Sequence, residues 1–296
     1  MTLKKNIFIF IGTGKTGSTA IQKYCCDNLK NIRFYYPRSC ISAYGHHKLS
    51  GLKVNPEKYL NLLAIELQSI RDYKNIFISS EELIYANKHT IHQLNKLMQK
   101  LGFNVKIIMS YRNLYDAVLS HYYEEIFQGK YFFDNENKKK MNYIGSLEEF
   151  YEHHKASFNY LTQIIPWARE FGKENIITFL YDKKYYEKNL IEKFLKIIDP
   201  GFKIQHKESK HVHKSLSQSD CDKLICQDKL NIDSKSRHAL AVTLKKFSSN
   251  KKIDISIELK NKINDDLKYS NKIFVDLFVR SNKQRKIYSK YYPIFK

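Results

Sequence analysis

Short apolar runs alternate with longer amphipathic stretches through residue 200. Four runs, Asn6–Ile11, Asn75–Ser80, Val105–Tyr111 and Asn175–Leu180, are dense in β-branched and aromatic residues and close on turn or helix-start residues. That pattern predicts buried strands. Between them apolar positions recur at helical spacing: Ala20, Ile21, Tyr24 and Cys25; Tyr59, Leu62, Leu63, Leu67 and Ile70; Leu94, Leu97, Met98 and Leu101 before Gly102. The same spacing marks Leu114, Ala117, Val118, His121 and Tyr122, then Leu190, Ile191, Phe194, Leu195 and Ile198, stopped by Asp199-Pro200-Gly201. Strands alternating with helices predict an α/β fold, a central parallel sheet flanked by helices, with ligands at the carboxyl ends of the strands. Residues 201–296 read as mostly helical, so the expectation is one domain over 1–296 with its α/β core in 1–200. Two polar stretches, Gln128–Ser146 and Gln205–Asp220, read as loops, the first of a length to serve as a lid or as a plain surface insertion. No internal repeat is visible.

Composition narrows the class. An apolar share of 43% with 22 Tyr and 18 Phe supports a real core and excludes a disordered chain. The net charge of +21 favours polyanionic partners: nucleic acid, anionic membrane, acidic glycan or a polyphosphorylated small molecule. A genome rich in A and T would inflate lysine equally, so charge alone selects none of these. The five cysteines form no C-x-x-C pair, which argues against a zinc or redox motif and for reduced thiols in the cytoplasm. His211-Val212-His213 lacks neighbouring ligands and reads as loop histidines, so no metal is expected. The apolar stretch after Lys4-Lys5 is too short for a secretory signal, and no run approaches a membrane span.

The chemistry gathers where the first strand ends, at Gly12-Thr13-Gly14-Lys15-Thr16-Gly17-Ser18-Thr19. A glycine-rich turn between a strand and a helix can cradle a phosphate: backbone N–H groups and the helix N-terminus face the anion, and Lys15 adds a charge. The P-loop of nucleotide kinases and hydrolases needs a further glycine five positions before Gly14, where this chain has Ile9 in mid-strand. That alternative is therefore disfavoured.

The segment Gly14-Lys15-Thr16-Gly17-Ser18-Thr19, followed by Ala20-Ile21-Gln22, resembles the 5′-phosphosulfate loop of bacterial sulfotransferases that use 3′-phosphoadenosine 5′-phosphosulfate (PAPS). Arg112, closing the third strand, and Ser120, eight positions on, resemble the pair that holds the donor's 3′-phosphate in that family. Weaker likenesses lie at Trp167–Gly172, at Tyr181-Asp182 and at Lys214-Ser215-Leu216-Ser217, whose plainer reading is a helix cap. The resemblance implies a PAPS-dependent sulfotransferase of P-loop-like α/β fold that needs no metal. In it Gly14 to Thr19 hold the 5′-phosphate, Lys15 stabilises the leaving group, Arg112 and Ser120 take the 3′-phosphate, and Lys214 and Ser215 add donor contacts. For the general base it points to Glu81, after the second strand, or to His46 or His47; histidine titrates near neutrality, which suits the role.

The acceptor is weakly encoded. The family likeness favours a saccharide hydroxyl of a surface glycan, with Tyr122, Tyr123, Tyr131, Phe132 and Phe133 as stacking faces or as core packing. From Phe278 to Lys296 there are six basic residues and no acidic one, beside Tyr288, Tyr291, Tyr292 and Phe295. Such a tail could touch anionic lipid at the inner membrane face or simply be solvated. A nucleic-acid-binding protein is the non-enzyme rival, though the basic residues are scattered and form no recognised module.

Overall fold

A computed structural model of the chain describes residues 5–30, 32–51, 55–70, 72–128, 132–134, 139–141, 145–187, 189–204, 217–229, 234–247 and 254–292. In chain order the strands are β1 (Asn6–Phe10), β2 (Asn75–Ser79), β3 (Asn104–Tyr111), β4 (Phe132–Asp134), β5 (Lys139–Met141) and β6 (Ile176–Leu180). The helices are α1 (Ser18–Asp27), α2 (Pro56–Ser69), α3 (Lys88–Lys100), α4 (Leu114–Gln128), α5 (Leu147–His154), α6 (Tyr160–Phe171), α7 (Lys183–Tyr186) and α8 (Leu190–Leu195). They continue with α9 (Gln218–Lys229), α10 (Ser234–Phe247), α11 (Ile257–Phe278) and α12 (Asn282–Tyr288). The chain divides into two compact units: Met1–Asn113 with Asn159–His206 and Leu267–Lys296, and Leu114–Phe158 with Lys207–Asp266.

The first unit is the α/β layer. Its four strands run parallel in the order β2-β1-β3-β6. All four predicted strands are present, to within a residue at their ends. They are apolar on both faces because helices cover both: Ile7, Ile9, Ile76, Ile78, Ile107 and Ile108 are fully buried. Each such side chain contributes about 1.5–3 kcal/mol of burial free energy. Asparagines cap the flanking helices: Asn55, Asn87, Asn159 and Asn189 each accept a backbone N–H of the following first turn. In α2 the buried stripe is Leu60, Leu63 and Leu67, while Leu62, expected to face inward, is 43% exposed. One residue is about 100° of helix rotation, so Leu62 cannot share a face with Leu60 and Leu67. Behind β6 the end of α11 and α12 complete the core. Tyr111 meets Phe274 and Tyr288 edge to face, and Gln284 donates to Thr178 O at 3.0 Å and accepts from the Tyr111 hydroxyl at 3.0 Å.

The second unit is helical, with one short hairpin. Ser146 and Glu149 form a reciprocal capping box at the start of α5. Arg237 on α10 donates to the Phe127 carbonyl at 3.0 Å and to the Ile126 carbonyl, satisfying the last turn of α4. Within the stretch expected to be a loop, β4 and β5 pair antiparallel. The remainder of 129–144 lies outside the described residues.

Candidate active site

The sheet order makes the carboxyl end of β1 a crevice. The chain leaves β1 to pair β2 on one side, then returns to pair β3 on the other. The connections diverge between β1 and β3, the place where open α/β sheets bind ligands. Residues 12–17 fill that place. Gly12, Lys15 and Gly17 have φ of 53°, 62° and 77°, so the backbone turns left-handed three times in six residues. Left-handed backbone costs a lysine free energy, and such strain concentrates at binding sites. Turns of this kind aim successive N–H groups at one point, a concavity suited to an anion.

The turn is stitched to β3. Ser110 Oγ accepts the Thr13 N–H at 3.3 Å and pairs with Thr16 Oγ1, which also bonds Thr13 O at 2.7 Å. Thr16 is fully buried, so its hydroxyl serves the turn itself, and only its N–H is left for a bound anion. Ser18 is buried and Thr19 exposed at the start of α1. Gly17 caps α1 with no side-chain bond to the free N–H groups, and no acidic residue stands in the first turn. This uncapped, acid-free N-terminus fits a phosphate. A Cβ at Gly17 would stand 2.5 Å from Leu190 Cδ2 and 3.0 Å from Tyr181 Cε2, on top of its positive φ. Gly17→Ala is expected to destabilise the protein by about 2 kcal/mol, read as a lowered melting temperature.

Arg112 emerges from β3 into the same crevice. Its Nη1 donates to Lys15 O at 2.9 Å, and its guanidinium lies 5.3 Å from the centre of the Tyr181 ring. The Tyr160 hydroxyl donates to Arg112 O at 2.9 Å, and Tyr181 N–H donates to Tyr111 O at 2.7 Å. Arginine and turn are thus joined directly.

A second cluster stands at the end of β2. Ser80 N–H donates to Phe10 O at 2.9 Å, which brings the residues after β2 beside the turn. A Cβ on Gly12 would lie 3.2 Å from Glu81 Cβ, so Glu81 packs directly against the turn. Gln22 of α1, buried at 2% exposure, donates to Glu81 Oε2 at 2.7 Å and to Ser79 Oγ at 3.1 Å. His47 Nδ1 bonds Ser80 Oγ at 2.9 Å. A Cβ on Gly45 would stand 2.7 Å from His47 Nε2 and 2.9 Å from Gln22 Nε2, so both side chains occupy space that any other residue there would fill. Glu81 Oε1 and His47 Nε2 have no hydrogen-bond partner among the described residues.

His46 is a different kind of histidine. It is completely buried; Nδ1 accepts the Ser79 N–H at 3.1 Å and Nε2–H donates to Pro37 O at 2.8 Å. Both nitrogens are committed to backbone, which leaves none to take a proton from an acceptor. Burial pulls its pKa down to about 4. An unfolded chain takes up this proton near pH 6.5, so stability is present above that value and is lost as pH falls toward 4. The loss from this group is about 3 kcal/mol. Urea midpoints measured across that window should fall, and the fall should be shallower in His46→Asn.

Of the other expected residues, Ser120 lies half-buried on α4, in the second unit. Lys214 and Ser215 lie outside the described residues, as do His211 and His213. Gln22, Ser80 and Ser110 bond within this region without the sequence having given them a role, and Tyr181 figured there only in a weak family likeness. Small polar residues closing strands, Ser79-Ser80 and Ser110, were the available signal. The tail is docked as far as Tyr292, the last described residue: Tyr288 and Tyr292 are buried, bonded to Asn271 at 2.8 Å and Asn113 at 3.3 Å, and Tyr291 donates to Asp182 at 2.7 Å.

Among the described residues no cluster of three or more His, Cys, Asp or Glu is set to hold a metal ion, and no helix is long and apolar enough to cross a membrane. No protein-family profile matches the chain, and no curated protein does. Among solved structures, the chain is similar to a sulfotransferase from Alicyclobacillus acidocaldarius. The two share 14% identity with a TM-score of 0.46 over 95% of this chain and 99% of the other.

Proposed function

We propose that this protein is a sulfotransferase that moves a sulfuryl group from PAPS to a hydroxyl, with a saccharide of a surface glycan as acceptor. One observation carries the reading: the phosphate turn after β1 and Arg112 after β3 meet at the switch point of the sheet, joined by the bond from Arg112 Nη1 to Lys15 O. Two cationic groups on adjacent strand ends suit a donor with phosphate at both ends. In this reading the turn and the N-terminus of α1 take the 5′-phosphosulfate. Arg112 takes the 3′-phosphate, for which a planar guanidinium is the apt group; Ser120 is assigned to the same phosphate by the sequence likeness alone. Lys214 and Ser215 are assigned to the donor by the sequence likeness alone.

Chemistry then needs alignment, charge compensation and a base. The acceptor oxygen bonds to sulfur as the bond from sulfur to the bridging oxygen breaks, and the bridging oxygen leaves on adenosine 3′,5′-bisphosphate. Lys15 compensates the charge developing there. Glu81 is the proposed base, because it packs on the turn and keeps Oε1 open; His47 is its neighbour across Gln22. His46 holds the fold of this corner.

The test is calorimetric titration with adenosine 3′,5′-bisphosphate. Saturable one-to-one binding, in preference to ATP with magnesium, supports the reading. Failure to bind, or a preference for magnesium ATP, overturns it.

A further inference from the structure

Glu66, on α2, is half-buried, and its carboxylate collects neutral donors from one loop. Oε1 accepts the Tyr35 hydroxyl at 2.7 Å and the Arg38 N–H at 2.7 Å, and Oε2 accepts the Ser39 N–H at 2.8 Å. Burial on its own would raise the pKa of Glu66, but the hydrogen bonds from Ser39, Arg38 and Tyr35 outweigh it and hold the group below the usual carboxylate range. The carboxylate is therefore an anion at neutral pH.

The peptide group between Pro37 and Arg38 carries its influence onward. The N–H of that group points to Glu66. Its C=O, on the opposite edge of the planar trans unit, accepts His46 Nε2–H at 2.8 Å. One rigid group thus links the carboxylate to the imidazole. Hydrogen bonds in series polarise one another, so the anion strengthens Pro37 O as an acceptor. That favours the His46 proton on Nε2 and leaves Nδ1 to accept the Ser79 N–H at 3.1 Å. The backbone of His46 adds a second bond to the same residue, from its N–H to Ser79 O at 2.7 Å. Two short paths lead on from there. Ser79 Oγ accepts from Gln22, which also holds Glu81. His46 O accepts the Leu49 N–H at 3.1 Å, closing the turn that carries His47 against Ser80 Oγ.

We propose that Glu66 is a positioning residue: through the peptide between Pro37 and Arg38 it sets the tautomer and place of His46, and thereby the aim of His47 and Glu81. The effect on turnover rests on the sulfotransferase reading of those two residues; the link to the histidines does not. Tyr35 supplies the contrast. Its hydroxyl bonds the same carboxylate, but its backbone is held by β2, with Tyr35 N–H on Asn75 O at 2.9 Å and Phe77 N–H on Tyr35 O at 2.8 Å. Losing that hydroxyl removes a bond to Glu66 and leaves the peptide link in place.

The experiment compares Glu66→Gln with Tyr35→Phe in the full chain. Glutamine keeps the shape of glutamate, but whichever way its amide turns, an NH₂ group faces the Arg38 or the Ser39 N–H. The ring nitrogens of His46 and His47 are followed in proton–nitrogen correlation spectra, assigned with His46→Asn and His47→Asn. In Glu66→Gln both sets of signals should move. Turnover of PAPS with saccharide acceptors should fall by about tenfold or more, as expected when reacting groups lose alignment. Affinity for adenosine 3′,5′-bisphosphate should stay nearly unchanged, because the turn and Arg112 stand on other elements. Tyr35→Phe should lose thermal stability yet keep the parent's ring signals and turnover. A merely structural role for Glu66 predicts that the two variants behave alike, and that result overturns the proposal. Ring signals that stay in place in Glu66→Gln overturn it too, as do signals that move while turnover holds. If Glu66→Gln does not fold, Glu66→Asp, which draws the carboxylate back by one methylene, is measured in the same way. A parent protein without nucleotide binding or turnover would defeat the sulfotransferase reading, and the ring signals would still decide the link from Glu66 to the histidines.

Discussion

Replacing Arg112 by alanine is expected to lower the affinity for adenosine 3′,5′-bisphosphate by about 100-fold or more. A guanidinium that bonds a phosphate through two N–H groups makes two charge-assisted hydrogen bonds, each contributing about 1.5–3 kcal/mol. Every 1.4 kcal/mol is roughly tenfold in affinity. The loss has a second source, because Arg112 also holds Lys15 O at 2.9 Å. Without that bond the left-handed lysine has less to keep it in place, and the N–H groups of the turn lose their common aim. Arg112→Lys should recover little, since an ammonium is a point charge without the planar fork. Calorimetric titration of the three proteins measures this directly. An Arg112→Ala protein binding within a few-fold of the parent would remove Arg112 from the donor site.

Glu81→Gln is expected to lower turnover by about 10²–10⁴-fold, the usual worth of a positioned base, while leaving product-nucleotide affinity nearly unchanged. The amide keeps the shape of the carboxylate but cannot take the acceptor's proton. The separation of effects follows from geometry. Gln22 fixes Glu81 through Oε2, and Glu81 Cβ packs beside Gly12, at the start of the turn. His47→Asn should cost less, because His47 is anchored to Ser80 Oγ and reaches the cluster beside Gly45. Release of adenosine 3′,5′-bisphosphate from PAPS in the presence of saccharide acceptors gives the rates. The opposite ranking of the two variants would transfer the role of base to His47, and full activity in both would remove the cluster from the reaction.

The parallel sheet was legible because its strands are dense enough in Ile, Phe and Val to leave one reading. The turn at 12–19 was legible because few sequences need glycines and a lysine between a strand and a helix. Helix faces were legible less evenly. Leu62 matched the hydrophobicity of its neighbours but not their angle, a distinction that only a fixed rotation of α2 reveals. The two histidines were indistinguishable as letters. What separates them is depth: His46 lies where Pro37 and Ser79 present backbone groups, and His47 lies one residue closer to solvent. Gln22 carries no role in the sequence for a related reason. A glutamine on a helix is ordinary until the partner 59 positions away is known. The hairpin in 128–146 gave no alternating signal, because three-residue strands are too short to show a period.

The bond from Arg112 to Lys15 O has a thermodynamic consequence of its own. The residues that would grip the two ends of a donor share a partner, so their contributions to binding are not independent. In a double-mutant cycle, Lys15→Ala combined with Arg112→Ala should cost less than the two single losses added, because losing Arg112 already frees the backbone that aims the Lys15 side chain. A single free-energy value assigned to either residue would count part of the other. In the proposed site the pair would act as one binding element with two charges, built from strands that are neighbours in the sheet and nearly a hundred residues apart in the chain.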